Sequence, residues 1–214
     1  MFNCILCQSN KVKFLFKYHD EREFYHCEEC DLKFVDRKSV LSLKDQKEVY
    51  DLHQNNIRSS GYEKFLMRVV DPIRKLLPDS SRGLDFGCGP YPMLIEIFND
   101  YGYENIYGYD PIYKNQVSLL ENRYDFITCC EVIEHFINLK SDLDQLLECI
   151  VDSGILVLST GLHHEAKREF KEWHYIQDIT HINFFSKSTC EYIAKTFDLS
   201  ILDLGNDIIT LQKR

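Results

Sequence analysis

Two pairs of cysteines constrain the start of this 214-residue chain more tightly than any other feature: Cys4 with Cys7, and Cys27 with Cys30, each two residues apart, the pairs separated by 19. Two intervening residues let a tight turn aim both sulfurs at one ion, and two such knuckles complete the tetrahedral sulfur shell that structural zinc prefers. Four sulfurs leave no open coordination position, so Cys4, Cys7, Cys27 and Cys30 are expected to hold structural Zn2+ rather than a catalytic ion. A redox role needs one reactive pair instead of two matched ones. Between the knuckles, residues 13–17 and 23–26 read as the strands of a small ribbon. Lys11, Lys13 and Lys17 on its first strand are compatible with a bound substrate or partner and equally with a solvated face.

The whole chain carries 25 basic against 34 acidic side chains, a formal charge of -9. Such a surface repels a polyanion unless a local basic patch overrides it, which makes nucleic acid a less favoured partner than a small molecule. No basic stretch followed by an apolar one opens the sequence, and no run approaches the roughly 18 apolar residues that span a bilayer. A cytoplasmic protein with no membrane-embedded part is expected, and nine cysteines fit a compartment where thiols stay reduced. Oligomeric state is open.

Pattern divides the chain into residues 1–38, the zinc ribbon; 39–80, a polar helical bridge placed to cover a cofactor; and 81–214, the main domain. In the bridge, Phe65, Leu66, Val69, Val70, Ile73, Leu76 and Leu77 recur at helical spacing, with Pro72 as a candidate kink. Beyond Ser81, short apolar runs alternate with helical stretches, the signature of a mostly parallel α/β sheet covered on both faces. Strands are expected over 83–86, 106–109, 126–129, 155–158, 199–204 and 208–211, with helices near 93–99, 142–151 and 187–197. The last two strands flank Gly205-Asn206-Asp207 and read as a closing antiparallel hairpin.

The run Leu84-Asp85-Phe86-Gly87-Cys88-Gly89-Pro90 ends a strand on an acidic residue and enters a glycine turn before a helix. Glycines suit a turn where a ligand approaches the backbone and where the chain needs unusual angles. Asp110 follows 21 residues after Gly89, at the end of the next strand, where a carboxylate can accept both hydroxyls of a ribose. A nicotinamide site would place a third glycine where Pro92 stands.

These residues resemble the first motif of class I S-adenosylmethionine (SAM)-dependent methyltransferases. Cys130-Glu131-Val132-Ile133-Glu134-His135 is similar to the segment after the fourth strand in the ubiquinone-biosynthesis-like members of that class. The resemblance covers about residues 80–214 and implies a Rossmann-like fold. It implies that Asp85, Gly87 and Gly89 hold the methionine end of SAM, that Asp110 holds its ribose and that Glu131 lies beside the sulfonium. Tyr50 and His53 stand where the class often carries a helix over the cofactor; an ordinary polar helix surface is the alternative. Only 14 residues, 111–124, separate Asp110 from the start of the next strand segment, so the usual third strand is expected to be missing or vestigial. Leu119 and Leu120 are the candidates for adenine contact there.

Ligands of open α/β sheets bind at the carboxyl ends of the strands, which should bring together the turn after Asp85, Asp110, Glu131 to His135 and the loop after Ser159. Methyl transfer is an in-line displacement in which the protein positions the acceptor and, for a hydroxyl, removes its proton. His135 and His181 are the candidate bases and Glu134 the orienting carboxylate; Trp173 and Tyr175 are candidates for walling the acceptor pocket. The E-x-x-E-H string with a distant histidine also resembles the metal site of small-RNA 2′-O-methyltransferases, which would make Glu131, Glu134, His135 and His181 ligands of a second divalent ion. Three functions therefore stay open: methyl transfer to a small molecule, metal-assisted methylation of RNA, and a non-catalytic SAM-binding or partner-binding module.

Overall fold

The computed structural model describes residues 3–52, 59–164 and 170–214. At the N-terminus β1 (Val12–Lys17), β2 (Glu23–Cys27) and β3 (Lys33–Val35) form an antiparallel meander, followed by α1 (Leu43–Tyr50) and α2 (Ser60–Leu76). The main domain continues through β4 (Gly83–Phe86), α3 (Met93–Asp100), β5 (Ile106–Tyr109), β6 (Tyr124–Cys130), α4 (Leu139–Glu148) and β7 (Ile150–Ser159). It closes with β8 (Asn183–Phe184), α5 (Lys187–Thr196), β9 (Leu199–Leu204) and β10 (Ile208–Lys213).

The larger sheet runs β5-β4-β6-β7-β10-β9; the first four strands are parallel, and β10 lies antiparallel to both β7 and β9. This is the expected Rossmann-like sheet with its closing hairpin. Among the described residues no strand lies outside β5: the chain turns back at once through a bridge between Asp110 and Lys114 and a short 3-10 helix at Val117–Glu121. The third strand is therefore missing. Leu119 is buried in the core rather than offered to a ligand.

Period-two alternation sorts the central strands between two layers. Phe126, Ile155 and Val157 face α2 and α3, while Ile127, Cys129, Leu156 and Leu158 pack with residues of α4 and α5. α2 buries Leu66, Val69, Val70 and Ile73 along one stripe, each contributing roughly 1.5–3 kcal/mol of transfer free energy. It passes through Pro72 without a break. The carbonyl deprived of its helical partner belongs to Arg68, on the exposed face, where water can serve it. α4 starts three residues earlier than the sequence pattern indicates and ends at Glu148, because Ile150 already pairs with Tyr124 in the sheet.

Two strands were not legible as such. β3 extends the ribbon, and β8, from the loop beyond β7, pairs with it through Lys33 with Phe184 and Phe34 with Asn183. The N-terminal meander and the main domain thus share one four-stranded sheet, β1-β2-β3-β8. Because β4 hands over to β5 on one side and β6 lies on its other side, the strand order reverses at the carboxyl end of β4, the place where such sheets bind ligands. No helix among the described residues is long and apolar enough to cross a membrane.

Candidate active site

A cavity of about 730 Å3 opens at that switch point, within the roughly 300–1,000 Å3 typical of small-molecule sites. It joins Gly87, Gly89 and Asp110 on one side to Glu131, His135 and His181 on the other, with Tyr50 of α1 among its walls. Four of the sequence-predicted segments therefore converge. His53 lies outside the described residues.

On the first side, Gly87 has φ +81, and a Cβ there would meet Val132 Cγ2 at 2.3 Å. Gly89 has φ +64, and its Cβ would meet nothing within 4 Å, so it would project into open space at the cavity wall. Only glycine leaves that space to a ligand. Asp110 receives amide protons from Ile112 (2.8 Å) and Tyr113 (2.9 Å) on Oδ1 and from Gly89 (3.1 Å) on Oδ2, which clamp its carboxylate in place and leave one lone pair on Oδ2 for a ligand's hydroxyl. Asp85 is buried behind the turn rather than on the wall, accepting from Thr128 Oγ1 at 2.9 Å, and burial pushes its carboxyl up to about 7. Pro111, Ile112 and Tyr113 continue the wall past Asp110, a stretch that sequence reasoning missed because no motif marks it.

α1 leans over this side. Tyr50 packs edge-on to the His135 ring at 5.4 Å, and Asp51 accepts from the Tyr113 hydroxyl at 2.7 Å, with Lys47 above the Tyr113 ring. Burial raises the Tyr50 phenol well above its usual range, so it stays protonated.

The second side is built around the turn after β6. Glu131 takes φ 52, a strained value for a residue with a Cβ. It is held there by its amide donating to the Ser159 carbonyl (2.9 Å) and by its side chain accepting from Ser159 Oγ (2.8 Å) and the Tyr175 hydroxyl (3.0 Å). The same hydroxyl lies 2.5 Å from Glu134 Oε1. A phenol has one proton and cannot donate to both carboxylates. Burial, and then the Glu131 charge, push Glu134 up to about 8, so Glu134 keeps a proton and donates it to the Tyr175 oxygen while Tyr175 donates to Glu131.

Both imidazoles are oriented by backbone carbonyls. His135 Nδ1 lies 3.0 Å from the Thr180 carbonyl and His181 Nδ1 lies 2.8 Å from the Tyr175 carbonyl, which puts the proton on Nδ1 and the lone pair on Nε2 in each neutral ring. The rings sit 4.8 Å apart. Burial lowers the His181 pKa, so this ring is neutral and able to take a proton at pH 7. One ligand atom from each of Glu134, His135 and His181 lies within 4.8 Å of the others. Both oxygens of Glu131 are engaged elsewhere, and it is not part of that cluster. Trp173 stacks on Tyr175 at 4.8 Å, and neither ring is on the cavity wall.

The four cysteines come together as their spacing requires. Cys4 and Cys30 sulfurs are 3.6 Å apart and Cys7 and Cys27 sulfurs 3.4 Å, near the roughly 3.8 Å edge of a tetrahedron with bonds of about 2.3 Å. The basic strand beside them is not open: Lys11, Lys13 and Lys17 pair with Glu29, Glu28 and Glu21.

Comparison with known proteins matches the same architecture. A structure of the Burkholderia thailandensis 1,6-didemethyltoxoflavin-N1-methyltransferase, with bound 1,6-didemethyltoxoflavin and S-adenosylhomocysteine, superposes with a TM-score of 0.58 at 10% identity, covering 94% of this chain and 99% of that one. The magnesium protoporphyrin IX methyltransferase of Synechocystis PCC 6803, with bound S-adenosylhomocysteine, gives 0.56 at 16% identity, covering 83% and 98%. No curated protein matches in sequence. A family model described as "Methyltransferase domain" matches residues 57–204, which takes in the glycine turn, Asp110, the turn after β6 and His181; the chain belongs to that methyltransferase family.

Proposed function

We propose that this protein transfers a methyl group from SAM to a nucleophilic atom of a small-molecule acceptor. The observation that carries the reading is the continuity of one cavity from the glycine turn and Asp110 to the imidazoles of His135 and His181. Bound SAM supplies an electrophilic methyl group on a sulfonium. Gly89 would leave room for its methionine end while Gly87 lets the turn pack against Val132, the clamped Asp110 would accept from its ribose, Glu131 would face its positive charge and Tyr50 would cover it. Asp85 acts from behind the turn by holding β4 to β6 through Thr128. His181, neutral and presenting Nε2, accepts a proton from the acceptor; His135 shares that wall, and protonated Glu134 fixes Tyr175 behind both.

The four-sulfur cluster fits structural Zn2+ held by Cys4, Cys7, Cys27 and Cys30. The paired lysines of the ribbon and the charge of -9 favour a small acceptor over RNA. Labelled methyl should pass from SAM into the small-molecule fraction of a cell extract. Label that vanishes with RNase would sink the reading.

A second reading is favoured by one observation, the Glu134–His135–His181 cluster: these three would hold a divalent ion that activates an acceptor hydroxyl. Metal analysis decides it. Two ions per chain, one of them lost in Glu134→Gln, supports this reading; zinc alone at one per chain rejects it.

A further inference from the structure

Arg22, immediately before β2, is 4% exposed. Burying a guanidinium is costly unless its donors are satisfied, so its partners show what it holds. Nε donates to Asp20 Oδ2 at 2.8 Å, and the plane lies near the Phe24 ring, 5.3 Å from its centroid. Nη2 also lies 2.8 Å from the same Asp20 oxygen, and both terminal nitrogens reach beyond the ribbon. Nη2 reaches the carbonyl of Ile176 (2.5 Å), and Nη1 reaches those of Asp178 (2.9 Å) and His181 (3.3 Å).

Those three carbonyls belong to one irregular stretch, residues 176–181, whose only regular structure is the end of a 3-10 turn. Buried carbonyls in such a stretch need donors from elsewhere. The stretch and its neighbour Tyr175 carry the second side of the cavity: the Tyr175 hydroxyl that joins Glu131 to Glu134, the Thr180 carbonyl that orients His135, the Tyr175 carbonyl that orients His181, and His181 itself. Immediately after it, Ile182 donates to the Glu134 carbonyl and accepts from the Val35 amide. β2 ends on Cys27, so the strand that starts beside Arg22 finishes in the four-cysteine cluster.

We propose that Arg22 is the positioning residue of the acceptor side: one guanidinium from the N-terminal ribbon fixes the backbone of residues 176–181 and, through it, the orientation of His135 and His181. The assignment of those rings to the acceptor rests on the function proposed above; the positioning itself does not. Arg22 has no bond to the glycine turn or to Asp110, so its loss is felt on one side of the cavity only. A fork of donors spanning three carbonyls cannot be replaced by a lysine ammonium, which reaches fewer of them.

The test uses the full-length protein as purified, with variants Arg22→Met, Arg22→Lys and Asp20→Asn. Three quantities are read: S-adenosylhomocysteine affinity by calorimetry, the hydrogen-bonded Nδ1–H protons of His135 and His181 by NMR, and methyl transfer to the extract's acceptor fraction. Arg22→Met should lose or shift both Nδ1–H signals and lower kcat about 100-fold, the order expected for a misplacement near 1 Å, with S-adenosylhomocysteine affinity within about threefold of the parent. Arg22→Lys should recover part of the signals and rate, and Asp20→Asn should show a smaller loss of the same kind. Unchanged Nδ1–H signals in Arg22→Met overturn the proposal. So does a fall of S-adenosylhomocysteine affinity in step with those signals, in any of the three variants, since that marks general loosening of the fold. Should Arg22→Met fail to fold, the two milder variants carry the same comparison. If the parent protein methylates no fraction, the proposed function fails while affinity and NMR still decide the role of Arg22.

Discussion

The two sides of the cavity are built in different ways. The side proposed for the cofactor is nearly contiguous: Gly87, Gly89 and Asp110 come from the ends of two adjacent parallel strands and the turn after the first, and their hydrogen bonds stay within those strands and the loop after β5. The side proposed for the acceptor is assembled from distant pieces, the turn after β6, the end of β7, residues 174–184 and the N-terminal ribbon, joined by Tyr175, Asn183 and Arg22. The Asn183 side-chain amide donates to the carbonyls of both Ile133 and Phe136, closing the turn that carries Glu134 and His135. A side encoded locally can be lost one residue at a time. A side encoded over long range fails wherever its scaffold is loosened, even far from the chemistry.

The sharpest way to strike the first side alone is Gly89→Ala. The new methyl meets no protein atom, so its cost falls on the ligand's space, with a strain of about 1–2 kcal/mol from φ +64. S-adenosylhomocysteine affinity should fall about 100-fold, with the His135 and His181 Nδ1–H signals in place. Equal disturbance of both would show that the sides are not separable. Chelating the Zn2+ proposed for the four-cysteine cluster, or substituting Cys30→Ser, strikes the other side. The expected outcome is a loss of methyl transfer of about 30-fold with S-adenosylhomocysteine binding changed by less than about threefold, because the ribbon meets the site through β3–β8 and Arg22. A smaller effect should come from Tyr175→Phe, which removes one hydroxyl from between Glu131 and Glu134 and leaves the buried Glu134 with one hydrogen bond fewer. A drop in kcat of roughly tenfold, with cofactor affinity retained, is expected.

This contrast also explains what the sequence disclosed. The strands at 83–86, 106–109 and 199–204, the absence of a third strand, the glycine turn and the cysteine cluster all follow from short-range patterns, and the structure reproduces them. His135 and His181 were identifiable as candidates by residue type, and they share the cavity wall. Their supports were not. Arg22 reads as one more charge in Asp-Glu-Arg-Glu, Tyr175 as a pocket aromatic and Asn183 as a loop polar residue; only a fold that brings residue 22 beside residue 181 gives them partners. Asp85 shows the converse. Its motif position marks it as important, yet the motif does not say that the carboxylate turns away from the cavity into the sheet.

That orientation yields the smallest and most specific prediction. Asp85 is buried with Thr128 as its partner, and burial raises its carboxyl from the ordinary 3.8 to about 7. A carboxyl whose folded-state pKa lies above its unfolded one binds more protons in the folded state across that interval. The stability it contributes is therefore full below pH 3.8 and is lost as pH rises through 7. In the ligand-free protein this slope should be largest from about pH 4 to pH 7 and should add to whatever other groups contribute. Asp85→Asn keeps the shape and a hydrogen-bonding partner for Thr128 but cannot ionise, so the difference in Tm between variant and parent should change by several degrees in the variant's favour across that interval, each 1 kcal/mol being about 2–4 °C for a chain of this size. A difference that stays flat with pH would mean that Asp85 is ionised throughout, with a compensating charge reaching it through the glycine turn, and the cofactor side would then be electrostatically tied to its surroundings rather than self-contained.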